Sequence, residues 1–208
     1  MKLLILGATG PTGRHVLDLA LAAGDTVTVL ARRPQALDDV ADRVRVVAGD
    51  ATSQDDVAQA LAGQDAVISA LGRSTSVRAD GLFSRAATAV TGAAKDQGVS
   101  RLVWLSSFGV GDTYKSASPA QKTMYSTFLR NIYADKEVSE RTIRASGLDW
   151  TLVYPTTLTK KPAKGSYRVG ERLPMKGAPT ISRADVADFL YKAARSDEWI
   201  HRDAVITD

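Results

Sequence analysis

A short glycine-rich segment near the start of the chain constrains the fold more than any other feature. It reads Gly-Ala-Thr-Gly-Pro-Thr-Gly over residues 7–13. The apolar run at residues 3–6 precedes it and is typical of a strand buried on both faces of a parallel sheet. Residues 14–23 follow, with apolar side chains at helical spacing. The segment is therefore predicted to be a tight turn between a strand and a helix.

In that context the three glycines indicate a nucleotide-binding turn. Glycine lets the backbone turn sharply and approach a ligand, while the free N–H groups of the next helix face a diphosphate. A bulky side chain at Gly10 would occupy the space of that diphosphate. The alternative is a turn that only joins a strand to a helix. The residues predicted to hold the diphosphate are Gly7, Thr9, Gly10, Pro11, Thr12 and Gly13.

Strand and helix patterns alternate along the rest of the chain, which predicts an α/β fold. We expect a single Rossmann-like doubly wound domain over residues 1–208, with a mostly parallel sheet flanked by helices on both faces. The predicted strands are residues 3–6, 26–31, 43–48, 65–71, 101–105, 149–154, 167–169 and 204–207. The predicted helices are residues 14–23, a short one through Val57 and Leu61, 80–97, 119–146 with a break near Ser126, and 183–195. Residues 108–118 are predicted to be a loop that could cover a substrate.

The end of the second predicted strand bears on the choice of cofactor. In this architecture an acidic residue there binds the ribose hydroxyls of NAD, whereas arginine pairs with the 2′-phosphate of NADP. The chain has Arg32 and Arg33 at this point and no acidic residue. Two surface arginines that merely end a strand are the alternative. The pattern favours NADP(H).

Other strand ends are predicted to reach the same cofactor, because the carboxyl ends of parallel strands meet at one edge of the sheet. Asp50 could bind the adenine amino group or cap the next helix, although Ser53 is better placed for capping. The fourth strand lies across the switch point from the first, and Gly72 is predicted to mark a close approach of the backbone to the cofactor. Further predicted cofactor contacts here are Ala51, Ala70 and Leu71.

The fifth and sixth strands deliver hydroxyl groups to this edge. Ser106 and Ser107 follow the fifth strand, and Pro155 and Thr156 end the sixth. Hydroxyls at this position can bond a carbonyl substrate or the nicotinamide, and the alternative is that they are simple turn residues. We predict that all four contact the cofactor.

Composition excludes several classes of function. The net charge of +4 is spread among 23 acidic residues, so nucleic acid is not predicted as a partner. With no cysteine and two histidines, no metal site is expected. No apolar run approaches the roughly 20 residues of a membrane helix. The chain opens directly on its first predicted strand, with no space for a signal peptide, so we expect a cytoplasmic protein.

These pieces, in this order, resemble the NAD(P)H-binding atypical short-chain dehydrogenase/reductases, and most specifically the biliverdin-IXβ reductase and flavin reductase group. The resemblance implies that the glycine turn holds the diphosphate, that Arg32 lies beside the 2′-phosphate and that Ser107 faces the nicotinamide. Leu71 and Gly72 match the group's Leu-Gly pair. The segments that carry the resemblance are GATGPTG, TVTVLARR, VVAGD, GQDAVISALG, GVSRLVWLSS, IRASGLDWTLVYP and ISRADVADFL.

The chain departs from the family at its reacting residues. Ordinary short-chain dehydrogenases protonate a carbonyl with the tyrosine of Y-x-x-x-K, but Tyr133 lies only three residues before Lys136. Lys136 fits the family's lysine, and Ile132 occupies the position of the tyrosine. The two histidines that approach the substrate in the flavin reductase group correspond to Lys136 and Thr157.

The function predicted from the sequence is an NADPH-dependent reductase of a small, flat, conjugated acceptor such as a flavin, a linear tetrapyrrole or a quinone. Ser107 and Lys136 are the candidate catalytic residues. A carbonyl reductase that protonates its substrate through one of them is an alternative, and a non-catalytic NADP(H)-sensing protein is another. The two long helical regions could form a dimer face or pack within one subunit, and we expect a monomer or a weak homodimer.

Overall fold

The computed structural model describes residues 1–72, 80–175 and 177–208, with Ala120 described by its backbone alone. The strands are β1 (Lys2–Leu6), β2 (Thr26–Ala31), β3 (Arg45–Ala48), β4 (Ala66–Ser69), β5 (Arg101–Leu105), β6 (Asp149–Pro155), β7 (Thr157–Thr159), β8 (Arg168–Gly170), β9 (Thr180–Ser182) and β10 (Arg202–Thr207). The helices are α1 (Pro11–Ala22), α2 (Gln54–Leu61), α3 (Leu82–Gln97), α4 (Pro119–Thr127), α5 (Arg130–Arg144) and α6 (Arg183–Ala194), with 3-10 helices at Pro34–Val40 and Gly111–Ser116.

The described strands form one large, mostly parallel sheet. Its order is β3-β2-β1-β4-β5-β6-β10-β8, and each neighbouring pair is parallel except β10 with β8. Strands β7 and β9 pair separately. The chain moves outward from β1 to β3 and then returns to place β4 on the other side of β1. The predicted Rossmann-like α/β fold is confirmed, and its switch point lies between β1 and β4.

Strand β1 is buried on both faces, as its unbroken apolar sequence predicted. Leu3 and Ile5 pack into the hydrophobic layer that contains Val16 of α1 and Leu190 of α6. Leu4 and Leu6 point to the other face, into the layer under α2 and α3. Each strand residue thus contributes to one of two cores, and burial of this apolar area stabilises the sheet by about 25 cal/mol per Å². The two layers hold the carboxyl ends of the strands at one edge.

Several predicted boundaries shift for identifiable reasons. Helix α1 begins at Pro11 rather than at residue 14, because proline at the first helical position has the φ angle that a helix needs. Residues 111–116 form a 3-10 helix rather than a loop. The expected break near Ser126 falls at residues 128–129, between α4 and α5. The Thr113 side chain ties this helix to the residues before it, since its Oγ1 accepts from Gly109 N and donates to Val110 O.

The predicted cap at Ser53 is confirmed, and two further helix ends are closed in the usual ways. Ser53 accepts a hydrogen bond from Asp56 N at the start of α2, and Ser182 accepts one from Asp185 N at the start of α6. Gly98 ends α3 in the left-handed conformation. None of the helices in the described ranges is long and apolar enough to span a membrane.

Candidate functional site

At two positions of the turn only glycine fits, because any side chain there would overlap neighbouring backbone atoms. Gly7 has a φ of 81°, and a Cβ there would lie 2.7 Å from the carbonyl oxygen of Ala70 at the end of β4. A Cβ on Gly13 would lie 2.1 Å from the Gly7 carbonyl oxygen. Both distances are far inside van der Waals contact, so any side chain forces the strand, the turn and the helix apart. These glycines allow the turn, β4 and α1 to approach one another.

Gly10 differs from its two neighbours in the motif. A Cβ there would meet a single atom, the Gly7 carbonyl oxygen at 3.3 Å, and its φ of −86° suits any residue. Gly10 is the N-cap of α1, where no side chain from the described part of the chain caps the helix and no acidic residue lies in the first turn. The N–H groups of Thr12 and Gly13 in the first turn of α1 thus have no side-chain cap among the described residues, and uncapped N–H groups at a helix start are the arrangement that attracts a phosphate. Thr9 and Pro11 are exposed beside it, whereas Thr12 is buried.

Arg32 and Arg33 follow β2 directly, and both are exposed. Neither guanidinium makes a hydrogen bond or an ion pair with any described residue, although Arg32 is close enough to Asp50 to act on its charge. Burial opposes ionisation of Asp50, but hydrogen bonds from Thr52 and the charge of Arg32 hold its pKa below the ordinary value. The end of β2 thus presents two exposed arginines, and the charge of one of them, Arg32, acts on the carboxylate at the end of β3.

Asp50 does not act as a helix cap. Its Oδ1 accepts hydrogen bonds from Thr52 N at 2.8 Å and Thr52 Oγ1 at 2.9 Å, which forms a local turn. Ser53 caps α2 instead, as predicted. Ala51 beside it is buried.

The end of β4 lies against the glycine turn. Ala70 N donates to Leu6 O at 2.9 Å, and this bond continues the ladder between β1 and β4 past the last strand residue. At Gly72 a Cβ would meet no described atom within 4 Å. The backbone from Ala70 through Leu71 to Gly72 thus runs from the close contact with Gly7 out to an open edge.

Ser107 and Lys136 come together at the end of β5. Lys136 Nζ donates to Ser107 Oγ at 2.7 Å. Its ammonium also lies 4.8 Å from the ring centroid of Phe83, within cation–π range. Burial lowers the pKa of Lys136 to about 8, against raising effects from Glu140 and Asp135. The pair combines a polarised hydroxyl with an ammonium that can release its proton near neutral pH.

Helix α5 is held in place for this contact by its own acidic residue. Asp135 accepts hydrogen bonds from Phe83 N at 2.9 Å and Ser84 N at 3.1 Å, so it caps the start of α3 from a neighbouring helix. This tertiary cap also sets the Phe83 ring beside Lys136. A sequence pattern cannot show it, because the carboxylate and the helix start lie about fifty residues apart.

Three other predicted cofactor residues are engaged within the protein. Ser106 Oγ donates to Glu140 at 2.5 Å, and Thr156 Oγ1 bonds Thr207 Oγ1 at 3.0 Å. The Pro155 carbonyl accepts from Phe108 N, which extends the ladder between β5 and β6. The structure brings these residues to the predicted edge, but the two hydroxyls already have protein partners.

Tyr133 is not placed as the acid of an ordinary short-chain dehydrogenase. Its hydroxyl donates to the Phe108 carbonyl at 3.2 Å, and its ring lies 5.0 Å from that of Tyr125. Burial, with the neighbouring Tyr125, raises the pKa of Tyr133. The side chain fixes the segment that follows Ser107 instead of reaching toward Lys136. Ile132, not Tyr133, occupies the position of the tyrosine acid, and a shift of one residue along a helix turns a side chain by about 100°, which agrees with this arrangement.

A cleft of about 580 Å³ opens beside this segment. Its wall begins at Gly109, and neither Ser107 nor Lys136 lines it. Gly109 has a φ of 98°, and a Cβ there would overlap the Tyr125 ring, so the strap made by residues 108–111 lies directly on that ring. The sequence did not predict this cleft. Gly109 and Gly111, which line it, are the sequence feature that could have indicated it. The side chains that matter most in its wall are Tyr114, Tyr125, Arg130, Tyr133, Glu140 and Arg144.

Metal-ligating side chains do not gather at this edge. Within the described ranges no three histidine or acidic side chains come close enough to hold a metal ion.

The sequence matches the family model described as NAD(P)H-binding over residues 7–197. The chain belongs to this NAD(P)H-binding family. That range contains the glycine turn, the two arginines and the Ser107–Lys136 pair. Members of this family are described as binding NAD(P)H, so a nicotinamide cofactor is the ligand that the family match indicates.

Solved structures agree with the fold along the whole chain. ChuY from Escherichia coli O157:H7, described as an anaerobillin reductase, is 26% identical with a TM-score of 0.84, covering 99% of this chain and 96% of that one. A Rossmann-fold NAD(P)-binding protein from Shigella flexneri is 26% identical with a TM-score of 0.75, covering 99% and 92%. A short-chain dehydrogenase/reductase from Veillonella parvula, solved in complex with NADP, is 17% identical with a TM-score of 0.81, covering 100% and 94%. These likenesses, together with the family match, show that the chain has the Rossmann-like fold of NAD(P)H-binding proteins.

The different roles of the glycines can be tested by a pair of substitutions. Gly10→Val adds side-chain atoms above the free N–H groups of α1, so cofactor binding should be lost while the unliganded protein melts near the wild-type temperature. Gly13→Ala should instead destabilise the fold itself, because its Cβ meets the Gly7 carbonyl. Calorimetric titration and thermal melting measure the two effects. Normal NADPH binding by Gly10→Val would contradict the prediction that the glycine turn binds the cofactor.

Burial of Lys136 predicts an unusual pH dependence of stability. Below pH 8 the lysine is charged in both folded and unfolded states, so the folded state bears the full cost of burying it. As pH rises from about 8 toward the ordinary pKa near 10.5, the folded protein loses this proton first and the cost is relieved. Lys136→Met should therefore increase the free energy of unfolding at pH 7 by about 1 to 3 kcal/mol.

That gain should shrink toward pH 10, as measured by urea unfolding at both pH values. Lys192→Met, at an exposed lysine paired with Asp188 on α6, is the matched control and should show no such trend. A loss of stability in Lys136→Met at pH 7 would contradict the assignment of a buried ammonium.

Proposed function

We propose that the protein is an NADPH-dependent reductase that transfers hydride to a flat conjugated acceptor, such as a linear tetrapyrrole, a flavin or a quinone. The observation that carries the proposal is the hydrogen bond between Ser107 and Lys136 at the end of β5, at the same sheet edge as the glycine turn. In this arrangement the nicotinamide would lie against Ser107, with its diphosphate at the start of α1. The cofactor supplies the hydride, and this chain binds and orients it.

The preference for NADPH rests on the end of β2. Arg32 and Arg33 are exposed and unpaired among the described residues, and no acidic side chain replaces them at the strand end. A 2′-phosphate would provide the negative charge that these guanidinium groups lack. NADP in the complex from Veillonella parvula is in line with this choice.

The class of acceptor follows from the missing tyrosine. The Tyr133 hydroxyl donates to the Phe108 carbonyl, and Ile132 occupies the position at which ordinary short-chain dehydrogenases have their tyrosine acid. A conjugated acceptor takes up hydride at an electron-poor atom and spreads the resulting charge, so a tyrosine acid is not needed. The likeness to the anaerobillin reductase from Escherichia coli supports a linear tetrapyrrole within this class.

A carbonyl reductase is the second candidate, and one observation favours it. The ammonium of Lys136 donates to Ser107, and its pKa of about 8 would let it protonate a carbonyl oxygen through the serine hydroxyl. The rate of NADPH oxidation in the presence of different acceptors separates the two candidates. The acceptors to test are riboflavin, flavin mononucleotide, biliverdin, a quinone and simple ketones or aldehydes. Reduction of conjugated acceptors alone supports the first candidate. Tight cofactor binding without reduction of any of them would indicate a sensor.

The cofactor preference predicts the effect of one arginine. Arg32→Ala should weaken NADPH binding by about ten- to hundredfold, because a charged hydrogen bond contributes roughly 1.5 to 3 kcal/mol, and should leave NADH binding unchanged. Arg45→Ala is the control, since Arg45 is an exposed arginine of β3 that donates to Gln59 O. Equal weakening of both cofactors, or a wild-type preference for NADH, would contradict the assignment.

The roles of Ser107 and Tyr133 predict small kinetic effects. Ser107→Ala should lower turnover of a conjugated acceptor by about one hydrogen bond, or roughly 0.5 to 1.5 kcal/mol, since the hydroxyl only orients the nicotinamide or the acceptor. Tyr133→Phe should change turnover very little. A carbonyl reductase would lose about a hundredfold or more when its acid is removed. A loss of that size in Tyr133→Phe would restore the ordinary short-chain dehydrogenase mechanism.

A further inference from the structure

A buried aromatic ring lies against the ammonium of Lys136. Phe83 belongs to the first turn of α3 and is only 2% exposed. Lys136 Nζ lies over its ring, 4.8 Å from the centroid. A ring face at this distance attracts a cation, and the attraction is stronger where water is excluded. The ammonium therefore has two partners, this ring and Ser107 Oγ, which accepts its hydrogen bond at 2.7 Å.

The carboxylates near Lys136 have other partners. Asp135 and Glu140 both act on its charge, and both belong to α5. Glu140 accepts the hydrogen bond of Ser106 Oγ, whereas Asp135 accepts from two backbone N–H groups at the start of α3. The hydrogen bond of the ammonium goes to Ser107 instead. Its direction therefore depends on the other contact of the ammonium, which is the ring of Phe83.

The position of this ring depends in turn on Asp135. Helix α3 begins after Gly81, which has a φ of 70° and no side chain to cap the helix. Asp135 Oδ2 accepts from Phe83 N at 2.9 Å, and its Oδ1 accepts from Ser84 N at 3.1 Å. A carboxylate on α5 thus supplies the cap that the local sequence lacks. It fixes the backbone of the residue that carries the ring.

These contacts form a closed loop between the two helices. Asp135 is followed directly by Lys136, whose ammonium contacts the Phe83 ring, and the Phe83 N–H group returns to Asp135. Only the hydrogen bond to Ser107 leads out of the loop, to the end of β5. A lysine side chain is long and flexible and loses much rotamer freedom when it is fixed. A rigid contact is therefore needed to keep its ammonium on one hydroxyl.

We propose that Phe83 and Asp135 are positioning residues for hydride transfer, an assignment that rests on the proposed function. Asp135 fixes the start of α3, and the Phe83 ring keeps the Lys136 ammonium on the Ser107 hydroxyl. Because the ammonium donates to Ser107 Oγ, the serine must donate its own proton elsewhere, to the nicotinamide or the acceptor. A neutral amine could accept that proton and turn the hydroxyl away. Both positioning residues act through the Ser107–Lys136 pair.

The first test follows the titration of Lys136 by NMR, from its Cε signal, in protein without cofactor. Burial lowers the pKa of Lys136 to about 8. Phe83→Leu keeps the surroundings apolar but removes the ring face that favours the charged form, so the titration should move to lower pH by about 0.5 to 1.5 pH units. Phe83→Tyr keeps a ring and should titrate near the wild-type value. Phe189→Leu, at a buried phenylalanine of α6 in the other hydrophobic layer, is the matched control and should change nothing.

The second test asks whether Phe83 acts through Ser107. With a responsive conjugated acceptor at pH 7, Phe83→Leu should lower kcat by no more than Ser107→Ala does, which is about twofold to tenfold. The double variant should match Ser107→Ala alone, because without the hydroxyl the ring has nothing to position. The wild-type rate should fall as pH rises through about 8, and in Phe83→Leu this fall should begin at lower pH.

Asp135→Asn tests the same link without altering the hydrophobic core, and it keeps the test informative if Phe83→Leu folds poorly. Asparagine retains one acceptor oxygen but loses the charge and the second acceptor. The titration of Lys136 should again move to lower pH, and the loss in kcat should not add to that of Ser107→Ala. Asp96→Asn is the control, at an exposed carboxylate near the other end of α3 that accepts from Gln54.

The outcomes separate this role from the proposed function. If the titration of Lys136 is unmoved in Phe83→Leu, or if the losses of Phe83→Leu and Ser107→Ala multiply, Phe83 is a packing residue only and the reductase proposal stands. If the wild type reduces no conjugated acceptor, the proposed function fails and the positioning role fails with it.

Discussion

The approach of three backbone segments at the start of the sheet is the contact on which the rest of the site depends. Gly7 lies against the Ala70 carbonyl and Gly13 against the Gly7 carbonyl, so β1, the end of β4 and the first turn of α1 meet without intervening side chains. This contact closes the switch point and leaves the first N–H groups of α1 without a side-chain cap among the described residues. A single methyl group at either glycine would separate these segments and remove the phosphate-binding geometry along with the packing.

Helix α5 completes the site from the other side. It carries Lys136 and Glu140 one turn apart, and each side chain bonds one of two consecutive serines at the end of β5. Both ionisable groups are buried, and burial shifts their pKa values in opposite directions, downward for the lysine and upward for the glutamate. The neutral form of each is thereby made accessible nearer to neutral pH than in solvent.

Tyr133 and Tyr125 both contact the strap made by residues 108–111. Tyr133 comes one residue after Ile132, which occupies the position of the tyrosine acid of ordinary short-chain dehydrogenases, so it is rotated by about 100° around α5 from this position, and its hydroxyl donates to the Phe108 carbonyl. Tyr125 packs on Gly109, and together the two rings support the segment that separates the Ser107–Lys136 pair from the cleft. Aromatic residues that carry chemistry in relatives with the usual spacing here have a structural role.

The sequence by itself determined the fold and which residues meet at the carboxyl edge of the sheet, where the cofactor is predicted to bind, because these depend on local signals. Unbroken apolar runs mark buried strands, glycine at 7, 10 and 13 marks the turn, and Ser106 and Ser107 come immediately after the fifth strand. Only the tertiary structure decided the partners of Ser106 and Thr156, the cap that Asp135 provides for α3, and the position of Glu140 between Ser106 and the cleft. Each of these joins residues that are distant in the chain, and which side chain an isolated hydroxyl or carboxylate bonds is settled by packing, for which a single sequence carries no periodic signal.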